Sequence, residues 1–551
     1  MQKILGIEFG STRIKAVLCD ERGRVCAQGG YGWENRRLAG GVWSYRLADA
    51  VEGMQAAYAE LKRDFAKRKR GKIAALDAIG VSGMMHGYLP FDGKGKQLAE
   101  FRTWRCTVTA PASAALTKAF GFSIPQRWSV AHLYQRVLDG GREVKDIAFL
   151  TTLAGYVHFL LTGEKVLGLG EASGMFPVDA RTRDYDAKML KTFDALCAKR
   201  KYPWKLRDIL PKALSAGAVG GRLTAKGAKL LDPSGELAEG AVLAPPEGDV
   251  QTGMVATNAV GPGEMNVSAG TSVFGTAILS RPLKRLYPEI DVVNSPTGAQ
   301  AAMSHANTCT SDINAWAKLL GGDYEKLFRE SLKGAPDCAG VVTVPYLSGE
   351  PIVHMDEALP LVARLPGADF TRANFMRASI YSSIATMRIG LDLVAGEGLK
   401  LTKVTAHGGL FKTPKVAQQY LADALGAPVT CMATAGEGGA WGMALLAAFA
   451  ARSAGSGERG AGSSLEEYLA KVVFKGAKGV TLKPKKKGMK GFADYLVNFK
   501  RVLCGIPWIL GWNKDPRSPP SGGFRPSPNR GTASSVCSPC RRRSDRSLSS
   551  N

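Results

Sequence analysis

Short apolar runs separated by turn residues open the chain. Ile4–Phe9, Ile14–Asp20 and Arg24–Tyr31 read as three strands, the second closing on the turn Asp20-Glu-Arg-Gly. Apolar residues then recur at helical spacing (Val51, Met54, Tyr58, Leu61), which predicts a helix over Leu47–Lys67. A further apolar run, Ala75–Val81, predicts a buried strand leading into Ser82-Gly-Met-Met-His86-Gly. The same theme returns at 266–280: a strand, a glycine turn, a second strand, then helices. Later helices are expected at 150–165, 368–396, Val416–Leu425 and Gly439–Ala451, with a short strand at Val404–Ala406. Strand–strand–strand–helix–strand order describes a mixed sheet covered by helices, not a uniform βαβ series. Ser453–Ser464 reads as a flexible loop. From Cys504 onward periodicity vanishes and Pro, Ser, Gly and Arg dominate, so 504–551 reads as a disordered and frameshifted tail.

Two of the predicted turns carry the same chemistry. Gly6-Ile-Glu-Phe-Gly10-Ser-Thr12 and Asn266-Val-Ser-Ala-Gly270-Thr-Ser-Val-Phe274 each place glycine and hydroxyl residues between two strands. Glycine lets the backbone approach a ligand closely. Successive N–H groups flanked by Ser or Thr hydroxyls form a concave donor surface for phosphate oxygens. One such loop is a weak signal. Two, each opening one half of the chain, imply a duplicated domain that holds one nucleotide between its halves.

Composition narrows the class. A chain of 551 residues with 45% hydrophobic residues can build at least two full cores. No apolar run reaches the roughly 18–20 residues of a membrane span, so no membrane partner is expected. The first residues run directly into a strand without a signal-peptide pattern, and the ten cysteines show no framework spacing; both point to a cytoplasmic setting with reduced thiols. The net charge of +25 raises nucleic acid as a partner. Its distribution argues against one: the basic residues cluster in Lys62–Lys72, Lys199–Lys205, Lys483–Lys487 and the tail, as solvated faces do, and no nucleic-acid motif accompanies them. Cys537-Ser-Pro-Cys540 lacks the second pair that a structural zinc site requires.

Gly248-Asp249 sits just ahead of the second glycine loop. An Asp after Gly at a turn also serves as a plain cap. Between two phosphate loops, however, a carboxylate can take the proton of a hydroxyl that attacks a phosphate.

Taken in order, these motifs resemble the FGGY family of carbohydrate kinases, from Leu5 to about Leu503. Gly6–Thr12 is similar to the family's first phosphate loop, Gly248-Asp249 to its catalytic base, and Gly270-Thr271-Ser272 to its second phosphate loop. His407-Gly408-Gly409 is similar to its adenosine-binding turn, and Gly436-Glu-Gly438-Gly439-Ala-Trp-Gly442 to the segment that starts its closing helix. The resemblance implies an α/β fold of two ribonuclease H-like (actin-like ATPase) domains with an interdomain cleft, 1–254 binding sugar and 255–503 binding nucleotide. It implies ATP against Gly10, Ser11, Thr12, Gly270, Thr271, Ser272, Gly408, Gly409, Gly436 and Gly438, with Asp249 as base. It also implies a homodimer by analogy.

Gly83-Met-Met85-His86-Gly87 resembles the segment with which family members acting on D-xylulose contact their sugar, which assigns Met85 and His86 to the substrate. Arg102-Thr-Trp104-Arg105 resembles a compressed Trp-x-Asp-x-Arg segment; Trp104 and Arg105 are sugar contacts by that resemblance, or a structural tryptophan beside a surface arginine. The Asp of that segment is missing. Glu8 stands where the family carries Asp near magnesium; it keeps the charge and is read as a working catalytic and metal-binding substitute. Another pentulose or polyol as acceptor, or an inactive sugar- and ATP-binding regulator, is the alternative reading.

Overall fold

The computed structural model describes residues 2–68, 71–432, 438–455 and 463–509. Gly436, the stretch 456–462 and everything from 510, including Cys537-Ser-Pro-Cys540, lie outside the described residues. Two seven-stranded mixed sheets organise the chain. The first runs, in space, Gly221–Arg222, Val242–Leu243, Ala78–Gly83, Ile4–Phe9, Arg13–Cys19, Val25–Gly32, with Glu247–Gly248 also paired to Ala78–Gly83. The second runs Asp291–Asn294, Gln300–Ala306, Val273–Ile278, Glu264–Ala269, Lys403–His407, Val429–Met432, Gly479–Leu482. In each, a central strand pairs antiparallel with the strand that follows its glycine turn and parallel with a later strand. The duplication expected from the loops is therefore a duplication of topology.

The turns and helices follow from local chemistry. Asp20 Oδ1 accepts from the backbone N–H groups of Arg22 and Arg24, which closes the second turn. The helix Leu47–Lys67 buries Ala50, Met54, Ala57, Tyr58, Leu61 and Phe65 along one stripe, as its spacing predicts. The helix Arg372–Ala395 is capped by the Thr371 hydroxyl and is buried nearly all round because the second core surrounds it. The last helix, Lys486–Ile509, runs beyond Leu503, where the apolar pattern fades. It is held by Phe492, Tyr495, Phe499 and Leu503, which bury into the second core.

Chain order and spatial order differ at two helices. Asp249–Ala256 leaves the first sheet and leads into the second. Gly438–Gly455 comes from the second half yet packs beneath the first sheet, sharing one core with Ile4, Val17 and Met254. Small residues permit this approach: a methyl group at Gly6 would stand 1.9 Å from the Ala440 carbonyl oxygen. Trp441 Nε1–H donates to the Gly23 carbonyl (2.7 Å) and locks the crossing helix to the first half. Among the described residues, no helix is long and apolar enough to cross a membrane.

Candidate active site

Both glycine loops are tied from behind. In the first, Trp33 Nε1–H donates to the Gly10 carbonyl (2.7 Å) and the Tyr45 hydroxyl to the Ser11 carbonyl (2.6 Å). Trp33 and Tyr45 stack with ring centres 4.2 Å apart, so both donors are fixed. A trans peptide directs its N–H opposite to its C=O. The Ser11 and Thr12 N–H groups therefore point away from these anchors. In the second loop, the Thr310 hydroxyl (2.6 Å) and N–H (3.0 Å) hold the Gly270 carbonyl, and the Cys309 N–H holds that of Thr271 (2.8 Å). The Thr271 and Ser272 N–H groups are aimed away by the same argument. A methyl group at Gly270 would meet nothing within 4 Å, so the loop borders open space. Gly408 closes on this loop: a methyl group there would stand 2.2 Å from the Ala269 carbonyl oxygen. Gly409 begins the following helical turn, Gly409–Phe411.

Asp249 is placed by pairing. Glu247–Gly248 runs parallel to Ala78–Gly83 with Gly248 opposite Gly83, so the next residue of each strand meets its counterpart at the sheet edge. Asp249 Oδ1 accepts from its neighbour Val250 N–H (3.0 Å) and, at 3.4 Å, from Met85 N–H. The side chain is exposed, with protein crowding part of its surroundings. Loss of hydration there, with the negative charge of Glu8, pushes its pKa up to about 6, against the backbone N–H groups that pull it down.

His86 is buried and takes a left-handed backbone (φ 71°). Its Nδ1 lies 3.1 Å from the Gly174 carbonyl, which assigns the proton to Nδ1 and leaves Nε2 as an acceptor. Burial, with Arg127 nearby, lowers its pKa to about 3, so the ring is neutral. Met85 is buried beside it, and a methyl group at Gly174 would touch both side chains.

Glu8 is half-buried at the end of the first strand. The Ala440 N–H, at the start of the crossing helix, faces the Glu8 carboxylate. Burial pushes its pKa up, while Lys15 and that N–H oppose the rise. A methyl group at Gly439 would stand 2.3 Å from Glu8 Oε1 and 2.8 Å from the Thr252 hydroxyl. The longer side chain of Glu therefore fits because Gly439 has none. Gly438 lies at the same helix start, near Lys15 Nζ.

The structure brings Glu8, Gly438, Asp249, Met85 and His86 into one neighbourhood, and Gly270 and Gly408 into another. Trp104 and Arg105 are not joined to the Met85–His86 group by any described contact. Trp104 is 40% exposed, and the Arg105 guanidinium lies 4.0 Å from the Trp43 ring centre. Trp43 occupies the short strand before the first helix, and its carbonyl accepts from the Thr103 N–H, while Arg102 pairs with Tyr88. The sequence reading missed Lys15, which sits opposite Glu8 in the first hairpin. It also missed Arg127, ion-paired with Asp291 of the second sheet beside His86. The Lys15 position follows from hairpin register alone; Arg127 had no motif to mark it.

Glu8 and Asp249 offer hard oxygen donors, and the rise in the Asp249 pKa comes partly from the Glu8 charge. A magnesium ion relieves that repulsion, and it binds through one or two carboxylates, waters and phosphates rather than an all-protein cage. Among the described residues there is no cluster of three or more His, Cys, Asp or Glu that could hold a metal ion. The donor set fits magnesium, with Glu8 as the side chain that would hold it.

Two topologically duplicated α/β domains, each with a tied glycine loop between two strands, have the actin-like ATPase, ribonuclease H-like fold. The chain belongs to the FGGY family of carbohydrate kinases: the family's N-terminal domain matches residues 3–126 and its C-terminal domain residues 265–451, together more than half of the chain. It is 24% identical over 441 residues to the xylulose kinase of Haemophilus influenzae, covering 78% of this chain and 87% of that protein. The crystal structure of xylulose kinase from Rhodospirillum rubrum matches with a TM-score of 0.75 at 18% identity, over 93% of this chain and 100% of that one. Gluconate kinase from Lactobacillus acidophilus matches with a TM-score of 0.74 at 18% identity, over 92% and 98%. These structures establish the fold; the family establishes a sugar kinase, for which ATP is the implied phosphate donor.

Proposed function

We propose that this chain transfers the γ-phosphate of ATP to a hydroxyl of a ketopentose, D-xylulose before other acceptors. The observation that carries the reading is the Asp249 carboxylate held by the Met85 N–H, one residue from a neutral His86. That arrangement sets a base and a hydroxyl-binding acceptor side by side. The His86 Nε2 lone pair takes a sugar hydroxyl proton in a hydrogen bond and orients the sugar. Asp249, ionised above about pH 6, takes the proton of the attacking hydroxyl. The outward N–H groups of Ser11, Thr12, Thr271 and Ser272 bind phosphate oxygens. Magnesium, when bound near Glu8, offsets charge on the phosphates. Similarity to xylulose kinases in sequence favours D-xylulose; similarity in fold to a gluconate kinase makes the acceptor the point to test.

The test is magnesium-dependent ADP release with D-xylulose, L-xylulose, D-ribulose, L-ribulose, gluconate and glycerol, each with wild type and Asp249→Asn. Turnover on D-xylulose that falls about 10²–10⁴-fold in the variant, with ATP affinity kept, is the expected result. Preference for another acceptor overturns the substrate, and a fully active Asp249→Asn overturns the base.

A further inference from the structure

Behind Asp249 lies a carboxyl that the mechanism above leaves unused. Glu171 belongs to the short buried helix Leu169–Ser173 and is 0% exposed. Neither of its oxygens has a formed hydrogen bond; the Thr152 hydroxyl faces it, and the buried Tyr185 hydroxyl, also without a partner, lies nearby. Gln251, two residues after Asp249 on the same helix, is also 0% exposed, and its side-chain oxygen is likewise without a partner. Both orphaned oxygens pack against Gly248, together with Met85: a methyl group at Gly248 would stand 2.2 Å from Met85 Cγ, 2.7 Å from Gln251 Oε1 and 2.7 Å from Glu171 Oε2. Two buried acceptors facing each other are each costly unless one carries a proton.

The geometry points to Glu171 as a positioning residue for the phosphoryl-acceptor base: in its protonated form it donates to Gln251 Oε1 beside Gly248, where the Met85 side chain also packs. This pins the first turn of the helix from which Asp249 projects. The inference rests on the assignment of Asp249 above. Burial drives Glu171 well above the usual carboxylate range, and the charges of Asp249 and Glu247 add to the rise; Tyr185 is a further titratable neighbour. The network continues outward. Gln251 Nε2 donates to the Asn294 carbonyl (2.8 Å) in the second sheet, and the Asn294 N–H donates to the Ser173 hydroxyl (2.8 Å). Ser173 in turn donates to the Gly170 carbonyl (2.6 Å), closing a ring that starts and ends on the Glu171 helix. Glu171 thus ties the base turn to both halves of the molecule.

The experiment measures kcat and both KM values for Glu171→Gln, Glu171→Leu, Gln251→Leu and the double leucine variant of full-length enzyme. The amide of Glu171→Gln keeps a donor, so it retains kcat within about threefold. Glu171→Leu orphans Gln251 Oε1 and lowers kcat about tenfold or more, with both KM values held within about twofold. Gln251→Leu does the same, and the double variant falls no further, because one interaction is removed once. Wild-type kcat in Gln251→Leu, additive losses, or a Glu171→Gln variant as slow as the leucine variant overturns the inference, even where Glu171→Leu fails to fold. Asp249→Asn run in parallel separates the two claims. If it abolishes turnover while the leucine variants are normal, only the role of Glu171 fails; if it is active, the base assignment fails first.

Discussion

The strongest prediction concerns the acidic limb of the pH–rate profile. An ordinary aspartate titrates near 3.8, and Asp249 is raised to about 6 by desolvation and the Glu8 charge. A general base works only when ionised, so activity is lost as the pH falls through that value. At pH 5 about one enzyme in ten would hold the ionised base, whereas an unperturbed aspartate would be over about nine-tenths ionised. The kcat/KM for the sugar should then fall by up to about tenfold between pH 7 and pH 5, and by less as water at this exposed side chain draws the midpoint to the acid side of 6. Glu8→Gln removes one source of the rise. Its limb should move to lower pH, by about one unit or less for a neighbouring charge in a hydrated cleft. The variant also loses the carboxylate assigned to magnesium, so the height of the profile drops; the position of the limb is the readout. A flat kcat/KM down to pH 4.5 in the wild type, or a limb that stays put or moves to higher pH in Glu8→Gln, refutes the electrostatic account.

Three further perturbations follow. Gly6→Ala would place a methyl group 1.9 Å from the Ala440 carbonyl oxygen and 2.6 Å from the Ala444 nitrogen, both backbone atoms. The crossing helix must then lift from the first sheet, at about 1–3 kcal/mol or more, read as a lower Tm. Gly439→Ala would press on Glu8 Oε1 at 2.3 Å; the expected result is a higher magnesium requirement for turnover, and an unchanged magnesium titration counts against Glu8 as the metal side chain. Glu247 is buried and raised to about 8 from 4.5 despite accepting from the Glu171 N–H (2.8 Å). Its neutral form is favoured by folding, so its contribution is full below about pH 4.5 and is lost as the pH rises toward 8, by a few kcal/mol at most. Glu247→Gln should therefore flatten the fall of Tm between pH 5 and pH 8; a variant with the wild-type slope would exclude Glu247 as its source.

Much of this site is legible in the sequence because hairpins are local. Turn residues and apolar runs place Gly10 and Gly270 between strands without knowledge of anything distant, and hairpin register then sets Lys15 against Glu8. Asp249 was legible through its place ahead of the second loop. What the sequence hides is set by long-range packing. The helix Gly438–Gly455 is rich in Ala and Leu, which predicts burial but not beneath which sheet; only the fit of Gly6 against Ala440 decides that. Glu171 is 78 positions before Asp249 and reads as an ordinary helical acid. Trp104 and Arg105 sit in a segment whose path depends on the backbone bond to Trp43, a tie that no local pattern announces.

The two halves share a scaffold and divide the chemistry. In the first hairpin the residue two places before the loop glycine is Glu8, opposite Lys15; in the second the equivalent residue is Ser268, opposite Phe274. The same register pair is thus charged in one copy and uncharged in the other. Phe274 turns its edge toward His305, whereas Lys15 moderates the carboxylate of Glu8. Both copies keep carbonyls tied backward and N–H groups turned outward, which is what polyphosphate binding asks of each. On the proposed function, the first copy sets the Glu8 carboxylate beside its loop where the second has Ser268. The two loops are then two anion cradles, and the departure of one hairpin from the other marks the reacting end.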